Sequence, residues 1–557
     1  MFVKKAWLGI MQLNNGFSMK LSGLFLYCII VLFPVSASAQ QNSENKRIVL
    51  TQDKDLEQQT LSLENGCILD LRGGTLRNGT IECGDLTIIG NNCVVDDFPL
   101  IKCNGNLRIT NVVFEGFKRT GVFIEYSAAD CKKPIIELNN VRFDGSGKIE
   151  RVLRSYMNNS IVEATIIIND CLFKNVTEYV VQFASNCTGR ITNNEIHDIG
   201  NSEKSHVSGV WLGYQDEFLA RNMIITNNKI ENIQAPYNNI DDGREAHGII
   251  VYGYGNKIKY NYIRNIYSII DNLQGDPGMD SEGIYVKGDN NEIAYNSLED
   301  ATGSGSDGAI TVKHIGGISK NNMVHDNVVS IKYSNGIVLY TDRSSIYANK
   351  IELKDKSACG IEVFRGKGIS ILNNTITGYN IAEEKDKFSG AIVVSECNDI
   401  KIKQNTILDV PTLLNIIKND GTLTIEGNTM ELTKDCHFGN NTKYTSGVVF
   451  QSSGGKTIIK GNRILGMGTK GSQLMEFLGE SSTSTIKIVK NEFIFKESQL
   501  QNTFLTYLVR EAPSGKLVVS NNIINLRGNY ISSTKGKSFK RNVMDVSNLR
   551  NSNVNIE

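Results

Sequence analysis

Proline is scarce here, 7 residues in 557, and tryptophan scarcer still, at Trp7 and Trp211 alone. So little proline leaves no Pro/Ser-rich linker to divide the chain. Excess charge of either sign is also missing: 59 basic side chains meet 59 acidic ones. Without a basic field the chain is not built to hold nucleic acid. No two cysteines have C-x-x-C spacing, which speaks against a structural zinc site. Apolar residues at i, i+3, i+4 are not sustained beyond the first forty residues, so a helical architecture is excluded. Long apolar runs are absent except for one, Leu21–Ala39, and no other stretch could span a bilayer.

That one run has an identifiable purpose. Lys4, Lys5 and Lys20 precede it, and it closes on the small residues Ala37-Ser38-Ala39. A basic segment, an apolar segment and a small-residue site make a signal peptide over residues 1–39, cleaved after Ala39. Met19 could serve as an alternative start. The expectation is export, to the periplasm or the extracellular space. Ten cysteines remain after Cys28 is removed with the signal. An oxidising compartment permits disulfides. Yet Cys83, Cys103 and Cys171 fall at apolar strand positions, so stacked buried thiols are expected rather than a disulfide framework.

Residues 40–557 carry a single repeat. Its unit is a strand of alternating apolar residues, a short turn, a second such strand, and then Asn, any residue, and an aliphatic or Phe. The Asn step recurs at Asn92, Asn111, Asn140, Asn194, Asn228, Asn261, Asn296, Asn327, Asn349, Asn374, Asn405, Asn428, Asn462, Asn491, Asn522 and Asn542. The spacing is roughly 20 to 35 residues, the length of a solenoid coil. Period two with Ile and Val in the pattern means strands. Strands this short cannot each bury a core, but stacked coils can, each covering its neighbour's apolar edge. The predicted fold is all-β, a right-handed parallel β-helix in one domain, with the Asn at a bend, in left-handed backbone, bonding to the Asn of the next coil. The polar ends are read as caps.

Three turns become long and acidic in the middle of the repeat: Gln234–His247, Tyr267–Glu282 and Glu299–Asp307. Each runs into a short strand, GIIVYG, GIYVKG and GAITVKH. Alternation sends Ile284 and Val286 inward and Tyr285 and Lys287 outward. By the same parity Thr311 and Lys313 point outward from the next coil, beside Lys287. Tyr252 takes the equivalent place one coil earlier and Tyr340 one coil later. Glu362, Arg365 and Glu396 extend the polar strip, with Arg343 at a strand end and His247 at a strand mouth. Two adjacent ammonium groups disfavour double protonation unless acids compensate, and a lysine so placed is usable as a base. Asp280, Glu282 and Asp307 are positioned to compensate or to hold a cation. Trp211, alone in the mature chain, gives no sign of a large aromatic sugar platform.

Asp280-Ser281-Glu282, then GIYV and Lys287, followed one coil later by Ala309-Ile310-Thr311-Val312-Lys313-His314, resembles a motif of the β-helical polysaccharide lyases of the chondroitinase B and alginate lyase type. Those carry Glu-x-Glu, four residues and Lys, then a strand ending Arg-His-Gly. The resemblance implies an acidic polysaccharide as substrate and β-elimination as the reaction. It implies Lys287 as the base, Lys313 as acid or charge stabiliser with His314 beside it, and Ca²⁺ on Asp280 and Glu282. Tyr252, Tyr285, Tyr340, His247, Glu362, Arg343 and Arg365 would then contact substrate. This chain departs from the pattern in three places. Asp stands for the first Glu, Lys for the Arg, and the family's calcium-binding Asn has no counterpart in the preceding coil. Two other readings stay open. One is a glycoside hydrolase using two carboxylates from Asp241, Asp242, Asp280, Glu282 and Asp307. The other is a non-catalytic glycan-binding β-helix.

Overall fold

In the computed structural model, residues 46–532 are described apart from 128–131, 158–160, 201–205, 236–244, 269–280, 303–307, 316–318, 379–389, 411, 433–436, 439–445, 452–453, 469–472, 481–484, 496–502, 510–515 and 526–530. The described residues contain strands and no helix, and 49 of the strands join one continuous parallel sheet. The molecule is a right-handed parallel β-helix, as the period-two pattern predicts. The expected signal peptide, the C-terminal segment with Asn542, and most of the three acidic inserts lie outside the described residues.

Each middle coil has three strands, so the stack has three faces. Glu245–Tyr254, Lys257–Lys259 and Tyr262–Ser268 make one coil, and the next begins at Ser281. The first face carries the candidate residues. Its strands are β1 (Tyr179–Phe183), β2 (His206–Leu212), β3 (Glu245–Tyr254), β4 (Ser281–Lys287), β5 (Gly308–Lys313), β6 (Val328–Leu339) and β7 (Lys350–Phe364). The acidic inserts join the third face to the first in chain order. In β6 and β7 no insert intervenes, and one long strand passes from the third face into the first with a register shift near Ser334. Ladder register stacks like on like: Ile249, Ile284, Ile310, Ile337 and Ile361 form one inward row, and Val251, Val286, Val312, Leu339 and Val363 the next. All ten are fully buried. Each contributes on the order of 2 kcal/mol from burial alone.

The recurrent Asn closes the corner between the second and third faces, but not in the way the sequence pattern suggests. At Asn92, Asn111 and Asn140 the Asn itself adopts left-handed backbone. From Asn194 onward the residue before the Asn takes that conformation instead: Asn193, Tyr295, Ala348 and Lys490 all have φ of 56–59°. The step is thereby free to turn its Asn into the core. Asn296 shows the result. Its backbone N–H and its Nδ2 both donate to Oδ1 of Asn327 at 3.0 Å, and Nδ2 also donates to the Ile258 carbonyl at 2.9 Å. Its own Oδ1 accepts from the N–H and the Nδ2 of Asn261, both at 3.0 Å. This pattern runs unbroken from Asn194 to Asn522. Non-glycine residues in left-handed backbone cost about 1–2 kcal/mol each, and the buried amide chain offsets that.

A second, shorter ladder has no signal in the sequence repeat. Asn256, Asn291 and Asn322 pass hydrogen bonds from coil to coil at the corner between the first and second faces, ending on the Ser344 hydroxyl. The expected thiol stacking is present: Cys83 and Cys103 are ladder partners, and all eight described cysteines are free, seven of them buried. Cys131 and Cys436 lie outside the described residues.

Asn296→Ala removes the acceptor for two donors on Asn261 and the donor to Ile258 in one step. It is expected to lower unfolding stability by about 3 kcal/mol or more. Urea denaturation followed by circular dichroism measures this, and a loss below about 1 kcal/mol would show that the amide ladder is not a principal support.

Candidate functional site

Register brings the candidate residues into one row. Lys287 is the ladder partner of Tyr252 on one side and of Lys313 on the other. Tyr340 follows in the next coil, its N–H bonded to the Val312 carbonyl at 2.9 Å. The two lysines are half-buried and interleaved with rings. Lys287 Nζ is 5.2 Å from the ring centres of both Tyr252 and Tyr285. Lys313 Nζ is 5.5 Å from Tyr285 and 5.3 Å from Tyr340. Aromatic faces attract ammonium groups at this range, which offsets part of the repulsion between two cations one strand apart. The row one pleat away is closed rather than exposed. Tyr285 faces outward but is only 9% exposed, and Thr311, expected outside, is fully buried with its hydroxyl donating to the Gly308 carbonyl at 3.2 Å.

The strand mouths hold two His–Glu ladder pairs. His206 and Glu245 are 3.2 Å apart, and His247 Nε2 lies 2.7 Å from Glu282 Oε2. His247 and Glu282 are almost wholly buried, with 4% and 0% of their side chains exposed, and the imidazole packs against Tyr285 at 5.8 Å between ring centres. His247, expected as a substrate contact, is thus beneath the floor. Burial pushes the Glu245 carboxyl up, but the His206 hydrogen bond and the nearby His247 and Lys287 outweigh it and hold the group below its ordinary value. The Tyr252 phenol is pushed well up, by burial first and then by Glu245, Tyr214 and Glu282. Of the two acids expected to hold calcium, only Glu282 is among the described residues. Glu282 meets the His247 imidazole, and among the described residues no three His, Cys, Asp or Glu side chains converge. Asp280 lies outside the described residues, as do Asp241, Asp242 and Asp307.

The opening lies at the other end of these strands. A cavity of about 590 Å³ is lined by Trp211, Tyr214, Gln215, Asp216, Glu217, Tyr252, Lys287, His314 and Ile315. That volume is in the range of small-ligand sites. Turn length shapes it. After β3 and β4 the chain dives at Gly253 and Gly288, with φ of 154° and 129°. A Cβ there would sit 1.8 Å from the Ala220 carbonyl oxygen and 1.9 Å from that of Gly253, so only glycine fits. After β2 a longer turn stands up, closed by the antiparallel bridge between Tyr214 and Phe218. After β5 His314 and Ile315 form the facing wall. The valley between has Tyr252 and Lys287 on its floor.

An aromatic platform is present, contrary to expectation. Trp211 stacks on Tyr252 at 6.3 Å and 19° and on Tyr214 at 6.2 Å and 25°, with Tyr179 edge-on at 5.7 Å. One tryptophan suffices because register gathers tyrosines from three other segments around it. Sequence reading missed Trp211, Tyr214, Asp216 and Glu217. The available signal was the turn GYQDEF, longer than its neighbours and directly after a strand with Trp outward.

The remaining candidates spread along the same face. Glu362 accepts a hydrogen bond from Asn335 Nδ2 at 2.8 Å. Arg365 donates to Glu396 at 2.8 Å, and Lys418 Nζ lies 3.3 Å from the same carboxylate, an ion-pair ladder farther along the stack. Arg343 is exposed in left-handed backbone at the turn after Tyr340.

No family model matches this chain, and no curated protein matches its sequence. Several solved structures resemble it distantly. A DFA-IIIase variant from Arthrobacter chlorophenolicus aligns over 57% of this chain and 84% of its own, at 10% identity and a TM-score of 0.35. A PL6 alginate lyase in complex with a trisaccharide aligns over 66% and 79%, at 15% identity and 0.28. The A-module of an Azotobacter vinelandii mannuronan C-5 epimerase aligns over 80% and 88%, at 12% identity and 0.24. Likeness at this level carries no argument about chemistry, which has to come from the side chains.

Glu282→Ala would leave the His247 imidazole buried without its carboxylate, and a loss of about 3 kcal/mol is expected by urea titration. A loss near zero would mean that the pair is not a structural support. The depressed Glu245 carboxyl stabilises the fold above its unfolded value near about 4.3, and that stability is lost as pH falls through the lower folded value. The stability lead of the wild type over His206→Ala is therefore expected to be present at about pH 5 and to shrink as pH falls below the unfolded value and through the lowered folded one. A lead undiminished at the lower pH would contradict the assignment.

Proposed function

We propose that this chain is an exported carbohydrate-active enzyme that cleaves a uronate-containing polysaccharide by β-elimination. One observation carries the reading: Lys287 and Lys313 are ladder partners set among tyrosine rings, and Lys287 opens into a cavity with an aromatic wall. Lys313 as a cation attracts a sugar carboxylate, and Trp211, Tyr214 and Tyr252 supply faces on which pyranose rings pack. Export, expected from residues 1–39, would bring the enzyme to such polymers.

The roles follow from position. Lys287, in the cavity, takes the proton from C5 of the uronate in its neutral amine form. Lys313, one strand away, stabilises the charge that grows on the carboxylate, and its own charge disfavours protonation of Lys287. The electron pair of the C5–H bond forms the C4–C5 double bond. The C4–O4 bond breaks, and His314 at the facing wall gives a proton to the departing oxygen. No step here runs through a metal ion.

Lys287→Ala is expected to abolish formation of the unsaturated product, read as ultraviolet absorbance on uronate polysaccharides, while the circular dichroism spectrum stays unchanged. Full turnover in that variant would remove Lys287 as the base. Reducing ends released from a neutral glycan, with no unsaturated product from any uronate glycan, would replace elimination by hydrolysis.

A further inference from the structure

Near the N-terminal end of the described stack two thiols come together. Cys83 closes the strand Thr80–Cys83 and Cys103 closes the strand Leu100–Cys103, and the two are ladder partners buried in the core. Backbone pairing continues past them. The Asn104 N–H donates to the Cys83 carbonyl and the Gly105 N–H to the Gly84 carbonyl, both at 3.2 Å. The strand ends therefore do not splay, and the two Cα atoms stay near the ladder spacing of about 4.8 Å. That lies inside the range of about 4.4–6.8 Å that a disulfide spans. Each sulfur also reaches toward the other's strand. Cys83 Sγ lies 3.6 Å from the carbonyl oxygen of Lys102, the residue before Cys103. Cys103 Sγ lies 3.0 Å from that of Gly84, the residue after Cys83. Among the described residues no other two cysteines are ladder partners. Cys67 stands beside Leu86, Cys93 beside Val112, Cys187 between Ala164 and Ala220, and Cys359 between Asn335 and Gly390.

We infer that Cys83 and Cys103, thiols in this structure, are a site of oxidation that joins their two coils by a disulfide, with an external disulfide as the oxidant. A hydrogen bond from the Cys83 thiol draws Cys103 below the ordinary thiol value, although burial opposes it. The same bond, and burial after it, pushes Cys83 up. Thiolate is the attacking form, so Cys103 is the nucleophile. Its sulfur attacks one sulfur of the external disulfide, and the other leaves as a thiolate. Cys83 then attacks the Cys103 sulfur of this mixed disulfide, passing its proton to the departing thiolate. In sum, two protein thiols lose two electrons and two protons, and the external disulfide becomes two thiols. Cys83 is 8% exposed and Cys103 1%, so the exchange belongs to folding, before neighbouring coils cover the pair. An exported chain folds where such oxidants are kept. The inference shares only that expectation of export with the proposed function. Its consequence is local. Coils near the end of a solenoid have fewer neighbours and open more readily, and a cross-link between adjacent coils removes open states.

Refolding the whole chain from urea in a glutathione buffer, with the oxidised form in excess, tests this without export or turnover. Remaining thiols are alkylated and the peptides sequenced by mass spectrometry. A Cys83–Cys103 cross-link is expected in most molecules, with the other described cysteines alkylated. Amide hydrogen exchange in the strands Thr80–Cys83 and Leu100–Cys103 is expected to be about 100-fold slower than in protein refolded with reductant. That difference is expected to vanish in Cys83→Ala and in Cys103→Ser. The comparison of wild type with and without reductant needs no variant, so a variant that fails to fold does not shield the inference. Both thiols alkylated after oxidative refolding, or either one joined to Cys67 or Cys93, overturns it. A cross-link that leaves exchange in both strands unchanged overturns its stabilising role. Formation of unsaturated product is assayed separately and depends on Lys287, so either claim can fail alone.

Discussion

The in-register parallel ladder is the constraint on which the rest of this structure depends. Every residue of a coil sits directly over its counterpart in the coils before and after, about 4.8 Å away. Any side chain placed at a given position must be compatible with its own kind. Isoleucines meet that condition by packing, and asparagines meet it by hydrogen bonding, since each amide both donates and accepts. The row from Asn194 to Asn522 is the extended case. It bonds laterally from coil to coil at a corner where the chain bends and the backbone alone would leave donors and acceptors open. Its presence also explains why the strained residue before each Asn can be Tyr, Ala or Lys: the ladder, not the local preference, decides the conformation.

Charge is the one property that does not stack well, and the structure handles it in two ways. On the outer faces, opposite charges alternate along the stack, as in Lys403, Glu426 and Lys460, or Arg365, Glu396 and Lys418. At Lys287 and Lys313 like meets like, and the neighbours in the row and the pleat beside it are tyrosines. A placement that the ladder disfavours, held among rings and opening to a cavity, is where a functional role is most economically assigned. The His247–Glu282 pair at the strand mouth packs against Tyr285 through the imidazole, so the ring between the lysines is held from its far side.

Walls came from turns and not from strands. The floor of the valley is low because Gly253 and Gly288 allow the chain to turn against the preceding coil with no side chain in the way. The shorter Asn ladder through Asn256, Asn291 and Asn322 pins those same turns. The wall after β2 stands because its hairpin is closed by backbone pairing between Tyr214 and Phe218. The acidic inserts that dominate the sequence enter these strands at their other end, away from the residues that line the described cavity.

How much was legible follows from this geometry. Period-two alternation and the recurring Asn disclosed the β-helix. Because one coil is one ladder step, the motif from Asp280 to His314 also disclosed that Lys287 and Lys313 are neighbours. Alternation told inward from outward correctly for Ile284, Val286 and Lys287, but it does not tell covered from open, which is why Tyr285, Thr311 and His247 were expected at the surface. Trp211 could not be joined to Tyr252 and Tyr214 by inspection, since Tyr252 belongs to the next coil and the tilt of the Tyr214 turn is set by its bridge. The amino-acid sequence by itself determined the coil, its register and therefore the row of cations and tyrosines, because a parallel ladder converts spacing directly into neighbourhood. Only the tertiary structure decided depth and enclosure, because these depend on how far each turn rises and what lies across it, and turn height is not written in any period.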